Sequence, residues 1–73
     1  MRFDGIDYMI DRGQVKHRVS GGWSSECNLP AGSHGGPRML DVVVDGCLGE
    51  TLLCYCQDGT VYQKRHNCGW CKR

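Results

Sequence analysis

Hydrophobic residues in this chain alternate with polar ones or gather in short runs. Nowhere do they recur at the three-and-four spacing of an amphipathic helix with caps. The first alternation spans Gln14–Ser20, where Val15, His17 and Val19 fall on one side and Lys16 and Arg18 on the other. That is the pattern of a half-buried strand. A weaker strand is predicted over Asp7–Ile10, and Asp11-Arg12-Gly13 between the two reads as a hairpin turn. The second half is better marked. Arg38–Asp45 predicts a strand built on Met39-Leu40 and Val42-Val43-Val44, ended by Gly46. Glu50–Cys56 predicts a second strand and Thr60–Arg65 a third, joined at Gln57-Asp58-Gly59, a strong hairpin signal. Period-two geometry then sets Cys54 and Cys56 on one face and Tyr55 on the other.

Between these halves lies Ser20–Pro37, rich in glycine and holding both prolines. It predicts a long irregular loop, a kind often tied to function. The tail, Asn67–Arg73, reads as a cysteine-bearing cap. The expectation is one domain over 1–73, mainly β, with short antiparallel strands, hairpins, long loops and no substantial helix. Its N-terminal part, 1–37, would be loop-rich. Its C-terminal part, 38–73, would hold the hairpin and most cysteines.

Composition adds a difficulty. At 73 residues, with eleven glycines and a single Phe, the chain has little apolar surface to bury against the entropy of ordering. Cys27, Cys47, Cys54, Cys56, Cys68 and Cys71 supply an even number of sulfurs for a remedy. A disulfide framework is the expected use. Each bridge in such a domain contributes about 2–4 kcal/mol, largely by restricting the unfolded chain. A bridge within Cys54-Tyr55-Cys56 would be strained, so those two are expected to find different partners. Cys27 and Cys47 lie upstream, Cys68 and Cys71 downstream, and six cysteines allow fifteen pairings. Disulfides persist in oxidising places, which makes the chain a secreted, extracellular protein. Arg2, Asp4 and Asp7 interrupt any signal-peptide core, so Met1 reads as an initiator ahead of a mature chain.

The rival use is zinc. Cys54, Cys56, Cys68 and Cys71 offer four thiolates, with His66 as a substitute. A C-x-C half departs from the two-to-four-residue spacing of structural zinc sites, and it strands Cys27 and Cys47. That alternative is a cytosolic zinc-stabilised interaction module; the preferred reading holds no metal and no cofactor. Redox catalysis at Cys68–Cys71 lacks the helix such motifs use.

The run Cys54-Tyr55-Cys56-Gln57-Asp58-Gly59-Thr60-Val61, followed by Cys68 and Cys71, resembles the core of a von Willebrand factor type C module. Gly5-Ile6-Asp7-Tyr8, Gly13, and Trp23 ahead of Cys27 extend the likeness thinly. Such modules carry eight or ten cysteines, so their pairing is not transferred. Size and cysteine pattern are also similar to tick salivary complement inhibitors of the CirpT type. That resemblance implies a host-defence inhibitor that binds complement component five and blocks its activation.

The remaining chemistry is consistent with binding. A formal net charge of +1, with mixed acids and bases, disfavours a phosphate-driven nucleic-acid partner. No stretch is long and apolar enough to span a membrane. His17, His34 and His66 are scattered, and Ser24, Ser25 and Ser33 lack a nucleophile setting, so no catalytic residues are assigned and the chain is not expected to be an enzyme. Hot spots favour exposed aromatics and arginine, which singles out Trp23, Leu29, Pro30, His34, Arg38 and Trp70 as partner contacts. For each tryptophan, packing against the core is an equal alternative. The expected state is a monomer bound to a host protein. A protease inhibitor using Asn28–Arg38 as its reactive loop is a further alternative. Met39–Val44 also suits edge pairing with a partner's strand, although three consecutive valines suggest burial on both faces.

Overall fold

A computed structural model of the chain describes residues 1–26, 35–44, 46, 49–66 and 68–73. Its regular structure among these is mainly antiparallel β. Four strands, β1 (Arg2–Phe3), β2 (Ile6–Asp11), β3 (Gln14–Val19) and β4 (Gly22–Ser25), form one sheet in sequence order. Another four, β5 (Pro37–Val44), β6 (Glu50–Cys56), β7 (Val61–Lys64) and β8 (Trp70–Lys72), form the second, also in sequence order.

Turn chemistry sets the first sheet. Asp4-Gly5 and Arg12-Gly13 connect β1–β2 and β2–β3, and both residues of each pair have positive φ, from 52° to 75°. Two central residues in that region define the hairpin turn whose twist matches the flanking strands. In the second sheet, Asp58 Oδ1 accepts the Thr60 N–H at 2.8 Å and holds the β6–β7 turn. Gly35 precedes β5 at φ +75°, and an added Cβ there would come within 2.9 Å of the Gln57 side chain. Glycine therefore suits that position on both conformation and space.

The predicted strand over Glu50–Cys56 coincides with β6, and the Asp11-Arg12-Gly13 turn and the β6–β7 hairpin are present. Two elements depart from expectation. Gly22–Ser25, assigned to the loop, is β4: its residues alternate in burial and are held by the ladder to β3, from Lys16↔Ser25 to Val19↔Gly22. The tail, expected to be a cap, contributes β8, pairing Tyr62↔Lys72 through Lys64↔Trp70.

The core lies between the sheets. Phe3, Tyr8 and Val15 of the first pack with Leu52, Cys54, Cys56, Tyr62 and Trp70 of the second, and Ile10, Leu40 and Val42 close over them. Residues directly opposite in a sheet share a face. Thus Leu52, Lys64 and Trp70, and likewise Cys54, Tyr62 and Lys72, fall on the core side, while Leu53, Gln63 and Cys71 fall on the other. That far side is not bare: Thr51 and Leu53 are buried there too.

β5 is an edge strand, with a register shift at its start between Pro37 and Met39. The three valines do not make it central. Val42 and Val43 are half-buried, while Val44 is 78% exposed.

Candidate binding surface

The solvent-facing side of the first sheet presents the most aromatic exposed surface among the described residues. Lys16 and Arg18 point there from β3, as the alternation predicts, and the ladder sets Trp23 opposite Arg18. The Arg18 guanidinium carbon lies 5.7 Å from the Trp23 ring centroid, within reach of a cation–π contact. Trp23 stays 40% exposed. Met9 and Asp11 share this face, and Lys16 Nζ reaches Asp11 Oδ2 at 3.0 Å. Val19 and Ile6 are also exposed.

Behind that face a carboxylate joins the two sheets. Glu26, directly after β4, has a side chain only 7% exposed. Its Oε1 accepts the indole N–H of Trp70 at 3.2 Å, and its Oε2 lies 2.8 Å from His17 Nδ1. The latter contact is short, yet it does not amount to a hydrogen bond to His17 Nδ1. Tyr8 stands beside this group, its ring 6.3 Å from that of His17. Burial raises the Tyr8 phenol above its usual pKa, and the charges of Glu26 and Asp4 push the same way. A second tie runs from the β1–β2 turn to the segment after β7: Asp4 Oδ1 lies 2.8 Å from His66 Nδ1, and the Phe3 ring lies tilted by 33° against the His66 ring at 4.9 Å.

The tryptophans therefore divide. Trp23 is exposed, whereas Trp70 is 6% exposed and packed in the core with its N–H engaged. Arg38 is exposed on β5, beside a groove of about 270 Å³ that Met1, Tyr8, Met9 and Ile10 line from the other side. Leu29, Pro30 and His34 lie outside the described residues. So do Cys27 and Cys47. Glu26 carried no signal in the sequence beyond being an acid in an irregular stretch.

No protein-family model, curated protein or solved structure matches this chain.

Cys54, Cys56, Cys68 and Cys71 are free thiols here. Cys54 and Cys56 are buried side by side on the core face. Burial is the main cause that raises both; the neighbouring Cys56 adds to it for Cys54, which is pushed up to about 12. In that state both are protonated and inert at neutral pH. Cys71 lies on the opposite face from Cys54, so a bridge from it to Cys54 or Cys56 would have to cross the sheet. This narrows the downstream partners expected for that pair. Cys68, Cys71, Gln63, Arg65 and Gly69 line a small cavity of about 110 Å³. Among the described residues no group of three or more His, Cys, Asp and Glu side chains is placed to hold a metal ion, and no helix is long and apolar enough to cross a membrane.

Proposed function

We propose that this chain is a secreted protein-binding module that inhibits a larger host protein, with complement component five as the specific candidate. The observation that carries the binding reading is Trp23, exposed beside Arg18 on a strand face rather than packed in the core. A rigid aromatic beside an arginine is the residue pair that dominates protein interfaces, because it buries large area with little loss of side-chain freedom. The cysteine motif and its resemblance to small arthropod complement inhibitors supply the candidate partner and the compartment.

In this reading the thiols oxidise in the secretory compartment. Each pair loses two hydrogens to a disulfide exchange catalyst and gains one sulfur–sulfur bond. Cys54 and Cys56 face the core, so their partners come from Cys27, Cys47 or Cys68 rather than from Cys71.

The test is surface plasmon resonance of the oxidised full chain against purified complement component five. Affinity capture from serum, read by mass spectrometry, runs alongside it. On this reading all six cysteines pair, so intact mass should be six hydrogens below that of the reduced chain. Trp23→Ala should weaken the captured complex by about thirtyfold or more, the size expected of a hot spot. Failure to retain any serum protein, or six free thiols in the folded secreted form, refutes the proposal.

A further inference from the structure

The geometry points to residues Asp41–Val44 of β5 as a strand-docking edge, whose occupant is an extended segment of a partner protein with a Lys or Arg opposite Asp41. This rests on the protein-binding reading above and names a second contact mode for it.

The free edge follows from the ladder. Cys56 N–H donates to Thr60 O at 2.8 Å, and Gln57 N–H donates to Gly36 O at 3.0 Å. Along a strand, backbone groups point alternately to its two neighbours. In β6, therefore, Cys56, Cys54 and Leu52 turn toward β7, and Tyr55, Leu53 and Thr51 turn toward β5. Their partners Met39, Asp41 and Val43 take up those bonds, which leaves Leu40, Val42 and Val44 pointing away from the sheet. An independent contact agrees: the Val42 N–H goes to the Asp41 side chain, Oδ1 at 3.0 Å, instead of to a strand.

Only part of this edge is open. The Arg38–Leu40 end faces β2 across the 270 Å³ groove. From Asp41 to Val44 no described residue pairs with the outward backbone groups, and Val44 is the most exposed large hydrophobic residue described. Such a row of donors and acceptors selects an extended backbone. Asp41 then selects its charge. A basic side chain opposite draws the carboxylate off the Val42 amide, so that the amide can donate to the incoming strand. A second copy of this chain is a poor occupant. Two-fold pairing centred on Asp41 sets two carboxylates face to face, and pairing centred on Val42 sets them diagonally, and like charges directly opposed are unfavourable.

The probes are two capped heptapeptides of alternating Thr and Val, one with Lys at its centre and one with Glu. Amide hydrogen exchange of the full chain is followed by NMR. Without peptide, the Val44 amide should exchange fast while those of Asp41 and Val43 are protected. The Lys peptide should slow exchange at Val42 and Val44, and the Glu peptide should bind about tenfold more weakly. Asp41→Asn should abolish that preference. Val44→Pro removes an outward N–H without touching the β6 ladder, so it should weaken the Lys peptide about tenfold while leaving the melting temperature nearly unchanged.

Protection of Val44 in the dilute free chain, equal binding of both peptides, or protection that grows with chain concentration alone would each overturn the inference. So would a host protein captured by wild type and Val44→Pro equally, which leaves the binding function standing. Peptides that behave as expected while serum yields no partner uphold the edge and remove the proposed function.

Discussion

Glu26→Ala isolates the polar clasp between the sheets. The carboxylate follows β4 in the first sheet, and the indole it holds opens β8 in the second, 44 residues away. Removing it leaves the Trp70 N–H at a site 6% exposed with its only described acceptor gone. A hydrogen bond to a charged group contributes about 1.5–3 kcal/mol, and an orphaned buried donor costs a similar amount. Part of that loss is offset, because the variant no longer buries an ion. The His17 contact, which is not a hydrogen bond, adds little. The expected net loss is about 2 kcal/mol, or about 8–16 °C in melting temperature for a domain of this size. Urea unfolding followed by far-ultraviolet circular dichroism measures it. Trp70→Phe deletes the donor from the other side. If the bond is what couples the residues, the double variant should be about 1 kcal/mol or more less destabilised than the sum of the singles. Coupling below about 0.3 kcal/mol, or Glu26→Ala as stable as wild type, would refute the clasp.

Leu52→Ala, at a fully buried position of β6, should cost about 2–5 kcal/mol in the same assay, because the cavity it leaves cannot fully collapse. Thr51→Val should raise the melting temperature, since the Thr51 hydroxyl is buried with no hydrogen-bond partner and the replacement has the same shape. In the reduced chain, the raised thiol of Cys54 favours the folded state at every pH below about 9, the value of an unperturbed thiol in the unfolded chain. That contribution should fade as pH climbs from about 9 toward about 12, Tyr8 working in the same direction, and Cys54→Ala should flatten the decline in a denaturant titration run across pH.

The sequence was most legible where side chains report their own burial. Val15 is buried and Arg18 exposed because β3 turns one face toward the core, although that face opens to solvent at Val19, and β6 is bounded by a turn signal at its end. It was least legible where a strand exists because of its neighbour. Gly22-Trp23-Ser24-Ser25 has weak intrinsic preference for strand, and the ladder to β3 holds it. β8 is three residues long and has no pattern to read. The valine run misled for a related reason. Three β-branched residues in a row suit a strand buried on both sides, yet β5 ends its sheet and only partly covers them. Trp23 and Trp70 look alike in sequence. What separates them is the face each occupies: Trp23 opposes Arg18 on the outward side, and Trp70 opposes Lys64 on the core side with its indole on Glu26.

Each strand in both sheets pairs only with the strands next to it along the chain. Hairpins of this kind close short loops and form in about 1–10 μs. Docking one meander on the other is the step that demands a long excursion of chain, and so the slow phase of folding should report assembly of the interface through Glu26 and Trp70, with the ladders already in place.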